Sequence, residues 1–109
     1  MAEKTVINNT DATLQITFFI REGDSPFSYA EEKVVLDLDP GTKADILYGE
    51  TEDALLNGIS ILSLSLGDFY NKVQFISSVQ SKLESLLNTH SILTITKEGT
   101  DYVLKGENA

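Results

Sequence analysis

Phe69-Tyr-Asn-Lys-Val73-Gln-Phe-Ile76-Ser-Ser-Val79-Gln-Ser81-Lys-Leu83-Glu84-Ser-Leu86-Leu87-Asn88 is the stretch on which the fold turns. Its apolar residues fit helical spacing over five turns, and Asp68 is placed to cap such a helix. The local chemistry reads otherwise. Tyr70 to Val79 is rich in strand formers and poor in strong helix formers. Ser81-Lys-Leu-Glu84 matches the capping box, which marks a helix start rather than a helix middle. The preferred reading is a strand over 70–78 followed by a short helix over 82–88. The alternative is one long helix over 69–88 packed on an antiparallel sheet, an α+β fold. Gly67-Asp68 reads as a hairpin loop ahead of the strand.

The rest of the chain alternates apolar and polar residues at period two, which sorts side chains to the two faces of a strand. Residues 5–8 read as a short edge strand, closed by the turn cluster Asn8-Asn9-Thr10-Asp11. Over residues 13–21, Leu14, Ile16, Phe18 and Ile20 take the core face. Thr13, Gln15, Thr17, Phe19 and Arg21 take the other. Gly23 and Pro26 mark a loop, with Phe27 and Tyr29 expected to pack back over the core edge.

Residues 33–38 turn Val34, Leu36 and Leu38 inward, and residues 43–48 turn Ala44, Ile46 and Tyr48 inward. Asp39-Pro40-Gly41-Thr42 between them has the type II signature: proline presets φ near −65° and glycine supplies φ > 0. The two strands are expected to pair as a hairpin. Residues 49–58 read as an acidic loop with a short helical turn near 52–56. Residues 59–66 form a strand with Leu62, Leu64 and Leu66 on one face. The tail reads as a second hairpin, 91–97 with 100–105 around Glu98-Gly99. That loop would set Ile95 opposite Tyr102 and Leu93 opposite Leu104, with the last four residues frayed.

Seven or eight short strands and one helix predict a mainly β chain, an antiparallel β-sandwich forming a single domain over residues 1–109. The run Val6-Ile-Asn-Asn-Thr10, the alternating strand after it, and Leu38-Asp-Pro-Gly-Thr42 ahead of another strand resemble bacterial immunoglobulin-like β-sandwich modules over residues 5–48. The cysteine–tryptophan–cysteine core of antibody domains is absent. The resemblance implies an architecture, since such modules serve many roles.

Composition narrows the function. There is no cysteine among the 109 residues, which removes disulfides, thiol catalysis and cysteine-ligated zinc. Net charge is −9, with twelve of the 17 acidic residues in the first 53 positions. An acidic chain lacks the basic footprint that nucleic acid requires. No segment has signal-peptide or membrane-span character, so a cytoplasmic protein is expected; a mature secreted domain would read the same.

Candidate chemistry is sparse. His90, the single histidine, stands at the end of the proposed helix, where capping the helix is its expected role. With no second histidine or cysteine it makes neither a metal site nor a dyad, and no Gly-x-Ser-x-Gly elbow accompanies it. Asp37 and Asp39 share a strand face, and Asp45 across the turn would complete three oxygen ligands for calcium. Glu50, Glu52 and Asp53 form a second acidic cluster, the raw material of a carbohydrate site or a carboxylate-based hydrolase. No cofactor motif or phosphate loop occurs. Phe19, Val35 and Leu47 fall opposite the core and are the candidate interface. The leading expectation is a non-catalytic domain that works through protein contacts or as a structural module, including self-association. Calcium or carbohydrate binding is the second reading and a small hydrolase a remote third.

Overall fold

The computed structural model describes residues 2–21, 32–49, 54–65, 68–76 and 81–109. Eight strands and one helix follow in the order β1 (Ala2–Asn9), β2 (Leu14–Arg21), β3 (Lys33–Leu38), β4 (Lys43–Tyr48), β5 (Leu55–Ser65), β6 (Asp68–Phe75), α1 (Lys82–Asn88), β7 (Ile92–Glu98) and β8 (Asp101–Glu107). They form two four-stranded sheets, β4-β1-β7-β8 and β3-β2-β5-β6. All pairings are antiparallel except β1 with β7. The mainly β sandwich is therefore as expected.

The split of residues 69–88 is also as expected. The side-chain oxygen of Ser81 accepts from the Glu84 N–H at 3.1 Å, the N-terminal half of a capping box. Such a cap stabilises a helix by about 1 kcal/mol, enough to start a seven-residue helix here rather than continue one. Strand β6 begins at Asp68, which pairs with Ser65 instead of lying in the loop. The strand ends at Phe75, three residues short of the expected 78.

Five expectations are corrected. Strand β1 is eight residues long and lies inside its sheet between β4 and β7, not at an edge. The turn at 39–42 forms with Gly41 at φ 73° and a bond from the Thr42 N–H to the Asp39 carbonyl at 3.2 Å. Its strands do not make a hairpin: β3 pairs with β2 and β4 pairs with β1, so the chain changes sheets at this turn. Residues 55–58 belong to β5, so the acidic loop is shorter than read; residues 50–53, and Phe27 and Tyr29 earlier, lie outside the described residues. In the final hairpin Ile95 faces Leu104 and Lys97 faces Tyr102, because Gly99 takes the first loop position at φ 63° and the loop is Gly99-Thr100. The shift of two residues keeps Leu93, Ile95 and Tyr102 buried. The tail does not fray, since β8 reaches Glu107 and the Ser91 N–H bonds to the Asn108 side chain at 3.0 Å.

Between the sheets lie Val6, Leu14, Ile16, Phe18, Ile46, Ile59, Ile61, Leu93 and Ile95. Serine at position 63 joins this inward face, and the Tyr102 hydroxyl donates to its Oγ at 3.1 Å, one buried bond from sheet to sheet. Leu62, next to it, accordingly lies on the outer face. Helix α1 closes one end, with Leu87 fully buried. Asn88 imitates a strand partner there: its side chain accepts from the Leu56 N–H at 2.8 Å and donates to the Leu56 carbonyl at 2.9 Å.

Arg21 corrects the alternation read from β2. The β2–β5 register shifts between Phe19 and Ile20, and the guanidinium is buried rather than outward. It donates to both oxygens of Glu84, at 3.0 and 3.2 Å, and to Asn57 at 3.0 Å. The helix is thereby tied to the sheet by charge as well as by Leu87.

Burial pushes the Tyr48 phenol from 10.0 up to about 12. Between those values the folded chain keeps a proton that the unfolded chain releases. The resulting stability, roughly 2–3 kcal/mol, is fully present below pH 10 and is lost as pH rises through 12. Burial lowers the pKa of Lys4, so that group gains stability on raising the pH toward 10.5. Melting curves from pH 8 to 12 should fall steeply above pH 10, and Tyr48→Phe should flatten the fall. An unchanged alkaline limb in that variant would refute the assignment.

Candidate functional site

Successive outward positions of β3, β2, β5 and β6 line up in rows across their sheet. One row is Lys33, Phe19, Gly58 and Phe75; the next is Val35, Thr17, Ser60 and Val73; the third is Asp37, Gln15, Leu62 and Asn71. Phe69 stands one row further along β6. Val35, Phe69, Val73 and Phe75 are 50%, 68%, 48% and 54% exposed. The charges on this face, among the described residues, are Lys33 and Asp37, both on β3.

Strand β6 has its apolar side turned to solvent. Phe69, Val73 and Phe75 look outward while Tyr70 and Lys72 look toward β8. Lys72 reaches Asp101 at 3.2 Å and the Tyr102 carbonyl at 2.8 Å, and the Tyr70 hydroxyl donates to Asp101. Those two donors hold the Asp101 carboxyl below its usual range, the tyrosine contributing most. Tyr70 also stacks edge-on against Tyr102, with centroids 4.8 Å apart. This polar seam joins the two sheets and leaves the hydrophobic residues of β6 outside.

Phe75 has a reason to sit where it does. Its ring lies over Gly58, where an added Cβ would come within 2.7 Å of it, and its centroid is 4.7 Å from that of Phe19. The two rings make a raised aromatic pair at one end of the face. At the other end is a mostly apolar hollow of about 200 Å³ lined by Thr13, Gln15, Asp37 and Leu62.

The candidate interface residues are thus only partly brought together. Phe19 and Val35 share this face. Leu47, 55% exposed, lies on the outer side of the opposite sheet, because β4 left its expected hairpin partner. That outer side carries Glu3, Lys43 and Asp45 near Leu47, and Lys105 and Glu107 at the far edge, an ordinary charged surface. Phe69, Val73 and Phe75 were missed by the sequence reading; their spacing of two and four was visible, but it had been absorbed into the helix-or-strand question.

The calcium ligands do not converge. Asp37 faces out on β3 and takes a bond from Gln15 at 3.3 Å, whereas Asp45 faces out on the other sheet and takes one from Thr5 at 2.6 Å. No group of three metal-ligating side chains occurs among the described residues. Glu50, Glu52 and Asp53 lie outside them. His90 caps α1 by donating Nδ1–H to the Leu86 carbonyl at 3.1 Å, and its ring fills the space beside Gly106.

Asn8, which with Asn9 and Thr10 fits a glycosylation sequon, is completely buried. A glycan cannot be carried there in the folded state. Its amide instead donates to the carbonyls of Ala12, Leu38 and Asp39 at 2.8, 2.9 and 3.2 Å, and its oxygen accepts from the Thr10 N–H and hydroxyl.

No family model, curated protein or solved structure matches this chain. No helix among the described residues is long and apolar enough to cross a membrane.

Proposed function

We propose that this chain is a non-catalytic β-sandwich domain that works by protein contact, and that a second copy of itself covers the outer face of β3-β2-β5-β6. The observation that carries this reading is the inverted strand β6, which exposes Phe69, Val73 and Phe75 while directing Lys72 toward the sandwich. These three outward hydrophobics line one side of the face, with Phe19 against Phe75 and Val35 across Thr17 and Ser60 from Val73, and exposed apolar surface of this kind marks an interface.

The edges argue for a face-on partner rather than an added strand. Lys72 on edge strand β6 is an inward-turned charge, a device that discourages edge pairing. The other edges carry Lys33 and Asp37, Lys43 and Asp45, and Asp101 and Lys105. Charge selects the face on which a like partner can sit. At −9 overall, two copies repel, and this face, with one cation and one anion among the described residues, is where that penalty is least.

Four strands at roughly 4.8 Å spacing and seven residues at roughly 3.4 Å give a face of about 460 Å² in plan. Stable complexes bury about 800 Å² per partner, so the association is weak and concentration-dependent. Sedimentation equilibrium from about 10 μM to 1 mM should show the mass rising toward that of a dimer. Val73→Lys, at an exposed position, should leave the melting curve intact and weaken association at least about tenfold. A wild-type protein that stays monomeric at 1 mM would overturn the proposal.

A further inference from the structure

We infer that the two copies are related by a two-fold axis running across the strands along the Val35-Thr17-Ser60-Val73 row, so that one ring of each copy's aromatic pair enters the hollow of the other. This rests on the self-contact proposed above and adds the geometry of the pair. An isologous interface must be complementary to itself under its own symmetry operator. The face meets that requirement about one row and no other element is needed.

Rotation about that row lays Lys33, Phe19, Gly58 and Phe75 of one copy over Asp37, Gln15, Leu62 and Asn71 of the second. Two complementarities follow. The cation Lys33 meets the anion Asp37, twice by symmetry. The Phe19–Phe75 pair, with centroids 4.7 Å apart, meets the hollow bounded by Thr13, Gln15, Asp37 and Leu62, about 200 Å³. A cavity of about 150 Å³ accommodates one benzene ring, so one aromatic side chain fits. Val35 and Val73 meet their own counterparts on the axis and supply apolar contact there.

Stacked sheets rotate by about 30° relative to one another through their twist. That rotation moves β3 sideways by only about 4 Å, within reach of a lysine side chain. A two-fold parallel to the strands would instead carry Lys33 and Asp37 across to the β6 side of the second copy, where the outward residues are Phe75, Val73 and Asn71. Both charges would then be pressed against uncharged side chains, which costs desolvation without a partner.

Charge reversal tests the operator. Lys33 and Asp37 are both exposed, so their variants fold, and a melting curve of each checks it. Lys33→Glu alone, or Asp37→Lys alone, creates two like-charge contacts and should raise the dimer dissociation constant about tenfold or more. The double variant Lys33→Glu/Asp37→Lys restores both pairs and should return to within about threefold of wild type. A dimer that Val73→Lys disrupts, but that neither single reversal weakens, would overturn the axis and leave the contact face standing. A dimer weakened by both singles and not recovered in the double would overturn the axis as well. Absence of any dimer would remove the contact face and the axis together.

Discussion

Glu84→Ala should destabilise this domain by about 3–5 kcal/mol, the largest single effect expected in the chain. Arg21 is 1% exposed, and Glu84 supplies both oxygens of a bidentate pair to it. Removing the carboxylate takes a bidentate, oppositely charged partner away from a buried guanidinium. The cap at Ser81 is untouched by the substitution, because it uses the backbone N–H of residue 84. Loss of capping therefore does not explain the effect. At about 4 °C per kcal/mol for a domain of this size, the melting temperature should drop by about 12–20 °C. Arg21→Met/Glu84→Ala should recover most of the loss, since an apolar side chain of similar length needs no counter-charge. Urea denaturation of both variants checks this. A loss below about 1 kcal/mol for Glu84→Ala would mean that the pair behaves as a solvated surface bridge.

Asn8→Ala should cost about 3 kcal/mol, for a different reason. Its amide joins two turns that belong to different parts of the chain. On one side are Thr10 and Ala12 after β1; on the other are the carbonyls of Leu38 and Asp39, where the chain leaves one sheet for the other. The backbone of Asn8 makes two more bonds to that turn, donating to Thr42 and accepting from Gly41, both at 2.9 Å. Alanine keeps those backbone bonds and deletes the five side-chain ones; the Ala12 and Asp39 carbonyls retain donors from Thr10 and Thr42, so the loss is that of buried hydrogen bonds at about 0.5–1.5 kcal/mol each. Asn8→Asp should be worse than alanine. It keeps the acceptor that serves Thr10, but it turns an oxygen toward three carbonyls and introduces a buried charge. If asparagine-to-aspartate proves milder than asparagine-to-alanine in thermal melts, the amide is not the donor assigned here.

Both residues show where local reading stops. Arg21 stands at an outward parity on an alternating strand, and nothing in its neighbours announces a register shift opposite Asn57 or a helix arriving sixty residues later. Asn8 reads as a turn former, and as a possible glycan site, because Asn-Asn-Thr suits both. Only the packing of a second turn onto it reveals a core amide. Asp45 and Leu47 were misplaced together, because a type II turn fixes a chain reversal over four residues and leaves open which sheet the outgoing strand joins. The β7–β8 register slipped by two for a smaller reason: Glu98-Gly99 and Gly99-Thr100 are both two-residue loops, and the choice depends on which position takes positive φ.

Alternation, turn chemistry and the Ser81–Glu84 box act over two to four residues, and their energies are set by nearest neighbours along the chain. They were enough to specify eight extended segments, one short helix, the core face of β2 and the absence of cysteine chemistry. Sheet membership, the burial of Arg21 and Asn8, and the outward turn of Phe69, Val73 and Phe75 depend on contacts between segments tens of residues apart. Period two says that a strand has two faces. Which face meets the interior is decided when the sheets pack, and on β6 the cross-sheet bonds of Tyr70 and Lys72 to Asp101 and Tyr102 accompany a packing that leaves its hydrophobic side exposed.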